Sequence, residues 1–233
     1  MAATYEISGK AVRRVGFGAM QLPGPGVMGP PKDHKQAVAV LRRAVEAGVN
    51  HIDTAQYYGP KVSNELIREA LYPYPEDLVI VSKVGALRDD QGGWIPAQRP
   101  AELRAAVEEN LATLGVEQLG AVNIRRVEGH HGLSPSQHVS VEDQLAEMVA
   151  LRDEGKIAGV GISTAPLAEV QAISGEITCV QDPYSVLNQD DGGVLDHCNA
   201  AGIAFVAYFP LGSAFPACRR WSTTPPYAAS PNV

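Results

Sequence analysis

Three side chains of different chemistry stand at the ends of two short apolar runs. The first run closes as His51-Ile52-Asp53-Thr54-Ala55-Gln56-Tyr57-Tyr58-Gly59, the second as Ser82-Lys83-Val84-Gly85. An aspartate, a tyrosine and a lysine brought to one rim form a proton-transfer set. A tyrosine alone is a poor acid near neutrality, with a reference pKa of about 10. A nearby ammonium stabilises its phenolate and lowers that value, and an aspartate beside the lysine keeps the lysine charged. Reduction of a carbonyl needs a hydride on carbon and a proton on oxygen, and such a tyrosine can give the proton. Taken singly, Asp53 with Lys83 reads as a structural ion pair and Tyr58 as a rim aromatic. Together, at consecutive strand ends, they read as chemistry.

The elements that must hold these residues alternate along the chain. Thr4–Ile7 and Ala11–Arg13 flank Ser8-Gly9-Lys10 and predict a small β-hairpin. Strands follow at 15–19 (VGFGA), 51–53, 79–83, 121–124, 159–162, 179–181 and 204–208. Helix-period segments lie between them at 33–47, 64–71, 101–114, 141–154, 166–173 and 194–201. Alternation of this kind predicts βαβ units and a parallel sheet. Right-handed crossovers in series curl toward an eight-stranded (β/α)8 barrel, whose chemistry sits at the C-terminal ends of the strands.

Composition narrows the partners. The chain has 233 residues, 45% of them hydrophobic, and a formal net charge of −7. An acidic surface with no basic run argues against nucleic acid or an anionic membrane as the main partner. No stretch of 18 apolar residues suggests a spanning helix, and MAATYEISGK has no apolar signal core. Cys179, Cys198 and Cys218 lack CxxC spacing. They read as reduced thiols of a cytoplasmic protein with no metal site.

The stretch GVNHIDTAQYYG resembles the signature of the aldo-keto reductase family around its catalytic aspartate and tyrosine. The resemblance continues through IVSKVG, GKIAGVGIST, VQDPYSVLN and GIAFVAYFPLGS, over roughly residues 11–213. It implies a barrel oxidoreductase that reduces aldehydes or ketones with NADP(H). Position by position, Asp53, Tyr58 and Lys83 match the catalytic aspartate, tyrosine and lysine. Tyr57 competes for the acid role, but Tyr58 has the family spacing. The resemblance also implies that Ser163, Thr164 and Gln181 hold the nicotinamide carboxamide and that Tyr208 stacks beneath the ring. The loop Leu211, Gly212 and Ser213 would meet the pyrophosphate. A small carbonyl compound is the implied partner.

Two departures stand out. Arg125 occupies the place of the family's histidine after strand four. A guanidinium cannot be a neutral donor, but it can hold a carbonyl oxygen or a carboxylate. His130 and His131 follow on the next loop and read as solvated. After Phe215 the run PACRRWSTTPPYAASPNV has four prolines and no apolar period, so the eighth βα unit is expected to be missing. The expected division is a barrel over 1–215 and an irregular tail over 216–233. The tail is consistent with G/C-rich codons read one base out of frame, or with a natural short variant. No basic site for an adenosine 2′-phosphate is evident. A catalytically inactive barrel with a nicotinamide-binding or subunit role is therefore the alternative function.

Overall fold

A hairpin opens the chain: β1 (Thr4–Ile7) pairs antiparallel with β2 (Lys10–Arg13). The order then runs β3 (Phe17–Gly18), α1 (His34–Glu46), β4 (His51–Asp53), α2 (Val62–Leu71) and β5 (Val79–Val84). A second hairpin, β6 (Ala86–Arg88) with β7 (Trp94–Pro96), precedes α3 (Pro100–Leu114) and β8 (Ala121–Arg125). The remaining elements are α4 (Val141–Asp153), β9 (Val160–Ser163), α5 (Leu167–Ile173), β10 (Ile177–Pro183), α6 (Val194–Ala201) and β11 (Ala204–Tyr208). This computed structural model describes residues 4–126 and 134–211. The expected boundary at residues 215 and 216, the tail, and the site of an eighth unit lie outside the described residues.

Seven parallel strands form one curled sheet in the order β11-β10-β9-β8-β5-β4-β3. Each neighbour is reached through a helical crossover, so the expected αβ alternation holds and the sheet is a nearly closed barrel. Local signals explain where the helices begin. Asp33 caps α1 by accepting from Gln36 N at 2.9 Å. Ser140 caps α4 by accepting from Asp143 N at 3.0 Å, with Glu142 and Asp143 in the favourable first turn. Pro100 starts α3 and Gly115, at φ 68°, ends it.

Two apolar layers result. Outside the sheet, Leu41, Ile67, Leu103, Val107, Met148, Leu151 and Val170 of the helices pack on outward strand residues such as Ile52, Val122, Ile124 and Ile162. Inside, Ile7 and Val12 of the opening hairpin pack against Val79, Val81, Ala121, Cys179 and Ala204. The hairpin thus plugs the N-terminal mouth and leaves the C-terminal rim for polar groups.

Strand one is shorter than expected. Only Phe17–Gly18 pairs with β4, Val15 is exposed, and Ala19 already begins a 3-10 turn. Two glycines in VGFGA weaken extended pairing. Helix α2 starts two residues early, at Val62, and β10 runs on to Pro183. Among the described residues no helix is long and apolar enough to cross a membrane.

Candidate active site

Parallel register carries the expected residues to one rim. Asp53 ends β4, Lys83 lies one residue from the end of β5, and Arg125 and Ser163 end β8 and β9. Gln181 lies near the end of β10, and Tyr208 ends β11. Asp53 pairs with Val81, and Lys83, two residues further along β5, shares that face of the sheet. The loop after β4 then turns back at Gly59, whose φ is +100°. A Cβ there would stand 2.4 Å from Val62 Cβ, so only glycine fits.

Lys83 Nζ donates to both carboxylate oxygens of Asp53, at 2.6 and 2.5 Å, and to Thr54 O at 3.4 Å. Their side chains are 4% and 16% exposed. A buried pair survives only where other hydrogen bonds complete its shell. Gln181 Nε2 supplies one, reaching Asp53 Oδ1 at 3.0 Å across the barrel.

Tyr58 is buried, with its ring centroid 5.4 Å from Lys83 Nζ. Its proton affinity differs from the expectation that the lysine lowers it. Burial pushes the Tyr58 phenol well above the ordinary tyrosine range, the Asp53 carboxylate pushes it further, and Arg125 offsets part of the rise. The reason is geometric. Lys83 sits over the ring, and its charge is met at short range by Asp53. Tyr58 therefore stands as a neutral phenol holding its proton. Tyr57 meets Tyr58 edge-on at 5.3 Å and Trp94 at 5.4 Å. Burial lifts the Tyr57 phenol above the ordinary range too, and its hydroxyl has no partner among the described residues.

Arg125 is half-buried and interacts electrostatically with Tyr57, Tyr58 and Tyr208, with a hydrogen bond to Tyr208. Burial pulls its guanidinium down, and the three hydroxyls and that bond lift it above the ordinary arginine value. Its main chain is pinned from behind: Gln98 Nε2 donates to Arg125 O at 3.1 Å and to Gly85 O. The adjacent Arg126 is buried and grips Glu169 through two nitrogens, at 2.7 and 2.9 Å. His130 and His131 lie outside the described residues.

On the far side, Thr164 adopts a left-handed φ of 61°. Its N–H donates to Asp182 Oδ1 at 2.7 Å, and its hydroxyl stands 3.4 Å from Tyr208 Oη. Ser163 Oγ lies 3.3 Å from Thr164 Oγ1. Gln181 Oε1 is buried and meets no donor among the described residues. This open acceptor beside Thr164 and Tyr208 suits an amide such as that of nicotinamide. Leu211 is exposed, and Gly212 and Ser213 lie outside the described residues.

Sequence reasoning missed two features here. Asp182, beside Gln181 in QDPY, is buried, and burial pushes its carboxyl to about 6. The Asp191 charge adds to the rise, while the Thr164 N–H and Arg125 oppose it. The β6–β7 hairpin brings Trp94 against Tyr57, with the Arg88 guanidinium stacked 4.1 Å from the indole centroid. The aromatic in WIP was its only signal. Among the described residues no cluster of histidine, cysteine and carboxylate could hold a metal ion.

Comparison with known proteins bears on this arrangement. Residues 14–230 match the model of the aldo/keto reductase family, a span that runs beyond Phe215, where the barrel pattern stops in the sequence. Pyridoxine 4-dehydrogenase of Escherichia coli is 45% identical over 216 residues, which cover 91% of this chain and 74% of that protein. Among solved structures, the thermostable aldo-keto reductase Tm1743 bound to epalrestat is 28% identical with a TM-score of 0.73, covering 90% of this chain and 73% of that one. The holo form of the aldo-keto reductase AKR11C1 of Bacillus halodurans shares the fold at 20% identity and a TM-score of 0.74, covering 95% and 74%. A match over nearly the whole chain, with a curated relative at this identity, makes the chain a member of the aldo/keto reductase family.

Proposed function

We propose that this oxidoreductase reduces an aldehyde or ketone to an alcohol with NADP(H), and that Tyr58 delivers the proton. The observation that carries the reading is the closed set at one rim: Asp53 paired at 2.5 Å with Lys83, which lies over the Tyr58 ring. A neutral phenol in a dry site keeps its proton until an oxygen basic enough to take it develops beside it. Arg125 stands near the same hydroxyl and steadies negative charge as it grows on that oxygen. Asp53 holds the ammonium of Lys83 in place. As Tyr58 gives up its proton, the Arg125 charge favours the phenolate left behind.

Ser163, Thr164 and Gln181 would hold the carboxamide, and the open Gln181 Oε1 supports this. Tyr208 would face the ring, and Leu211, Gly212 and Ser213 the pyrophosphate. When bound, the reduced nicotinamide supplies a hydride to the carbonyl carbon. The likeness to pyridoxine 4-dehydrogenase points to an aromatic aldehyde of the pyridoxal class as substrate. Arg125 suits the phenolate oxygen that such an aldehyde carries next to its carbonyl. The free, buried Cys179 and Cys198 support a reducing, cytoplasmic setting. No feature of the described site favours a catalytically inactive barrel.

The test is Tyr58→Phe, with pyridoxal and NADPH as substrates. The expected result is a loss of kcat of about 10²–10⁴-fold, in line with removal of a general acid. NADPH should still quench intrinsic fluorescence. Unchanged turnover would remove Tyr58 from the reaction.

A further inference from the structure

Directly behind the acid–base set lies a polar cluster that the proposed chemistry does not use. Thr54, Gln56, Asn64, Ser82 and Asn110 are each no more than 1% exposed. Asn110, on α3, is the hub. Its Oδ1 accepts from Ser82 Oγ at 2.6 Å and from Asn64 Nδ2 at 2.9 Å. Its Nδ2 donates to Gln56 Oε1 at 3.2 Å and to Ala106 O at 2.8 Å. An amide has two donor hydrogens and two acceptor positions, and all four are used. A main-chain carbonyl can only accept, so Ala106 fixes which way round the amide lies.

The cluster extends in two directions. Thr54 Oγ1 donates to Asn64 Oδ1 at 2.8 Å, and Gln56 Nε2 reaches Ala86 O at 3.4 Å. Each reacting side chain thereby has a near neighbour in the cluster. Thr54 follows Asp53, Ser82 precedes Lys83, and Gln56 stands two residues before Tyr58. The segment that carries Tyr58 is also held by main-chain bonds, among them Tyr58 N to Ala55 O and Lys61 N to Gln56 O, and at its far end by Lys61 Nζ on Glu109 at 2.9 Å and Ser63 Oγ on Ala19 O at 3.0 Å. The cluster carries no net charge, so it orients these segments without adding a charge to the field at the phenol.

We infer that Asn110 is a positioning residue for carbonyl reduction. Through Ser82, Gln56 and the Asn64–Thr54 link it sets where Lys83, Tyr58 and Asp53 stand relative to one another. The inference rests on Tyr58 being the proton donor. Misplacing a reacting group by about 1 Å costs on the order of 10²-fold in rate. A residue that only filled space would tolerate an isosteric change. Asn110→Asp is such a change, and even a protonated aspartic acid has one donor hydrogen where Gln56 and Ala106 need two.

The experiment compares Asn110→Ala, Asn110→Asp and Gln56→Ala with the parent chain. It reads kcat and its pH profile with pyridoxal, NADPH affinity by fluorescence, and amide hydrogen exchange. Both Asn110 variants are expected to lose kcat on the order of 10²-fold, with NADPH affinity kept and the pH profile displaced. Exchange should quicken at residues 54–63 and 82–84 while β9–β11 keep their protection. Gln56→Ala leaves the Asn110 bonds to Ser82, Asn64 and Ala106 intact and should show the same pattern more weakly. It carries the test if the Asn110 variants do not fold. Unchanged kcat and pH profile in a folded variant would overturn the inference, as would exchange quickened uniformly over the barrel. A parent chain without turnover would fault the functional reading instead, and the exchange pattern would still decide the role of Asn110.

Discussion

Two polar networks back the rim, and they are built from different materials. Behind Asp53, Tyr58 and Lys83 the network is neutral, made of amides and hydroxyls around Asn110. Behind Arg125 it is ionic. Arg126 grips Glu169 and also donates to Gln144 Oε1 at 2.6 Å, and Gln144 Nε2 in turn donates to Gln98 O at 2.8 Å. Gln98 then reaches the main chain of Arg125. Proton transfer depends on the local field, so a neutral scaffold suits the side where the proton moves. The other side ties Arg126, just after β8, to Val139, just before α4, and to α5, and the stronger bonds of an ion pair suit that task.

The comparison can be broken most forcefully on the ionic side. Glu169→Ala removes the carboxylate that takes two nitrogens of buried Arg126. Losing one partner of a buried pair costs about 3–5 kcal/mol, to be read from urea unfolding. The folded fraction should nonetheless keep more of its kcat than Asn110→Ala does, and the reverse order would erase the distinction between the two networks.

Asp182 sharpens it on the cofactor side. Its carboxyl, near 6 when folded, binds protons more readily there than in the unfolded chain, where it titrates at about 3.9. Folding stability therefore falls as pH rises from about 4 to about 6, and the full penalty stands above that window. Asp182→Asn should keep an acceptor for Thr164 N–H and remove the penalty. The gain is expected at roughly 2–3 kcal/mol at neutral pH and should vanish below about pH 4. Unfolding curves collected across this range would show a pH-independent difference if the buried carboxyl is not the cause.

The smallest effect belongs to the neutral side. Ser82→Ala removes one donor to Asn110 Oδ1 and leaves Asn64 on that oxygen. It should cost about 1 kcal/mol and change little with salt. A loss several times larger, or one that shrank as ionic strength rose, would mean that charge enters the cluster after all.

Much of this site could be read before any coordinates. Asp53 and Lys83 are polar residues at the ends of apolar strands, where burial is costly and a polar choice is conspicuous. The spacing to Tyr58 likewise follows from local sequence. Asn110 was invisible because a single asparagine in a helical pattern looks like a surface position, and its partners come from three other segments. The β6–β7 hairpin escaped because its strands are three residues long and mixed in character. The direction of the Tyr58 titration depends on depth of burial, which no spacing reveals. The short β3 has a similar origin. VGFGA is apolar enough to suggest a strand, but its glycines and the exposed Val15 leave only two residues paired.

The plug at the bottom of the barrel bears on the order in which this chain can assemble. Tyr5 Oη donates to Ile203 O, a contact that spans 198 residues, whereas Asp53 and Lys83 are 30 apart. Chains emerge from the ribosome N-terminus first, and contacts between distant segments wait for the later segment. The opening hairpin must therefore idle through most of synthesis, with Ile7 and Val12 lacking their final neighbour Ala204. The Asp53–Lys83 contact and the Asn110 cluster join residues within 53–110 and can form while the rest is still being made, whereas the Gln181 bond to Asp53 comes later. The Asp53–Lys83 side of the rim can thus form early, while its Tyr208 side and the floor beneath it wait for β11.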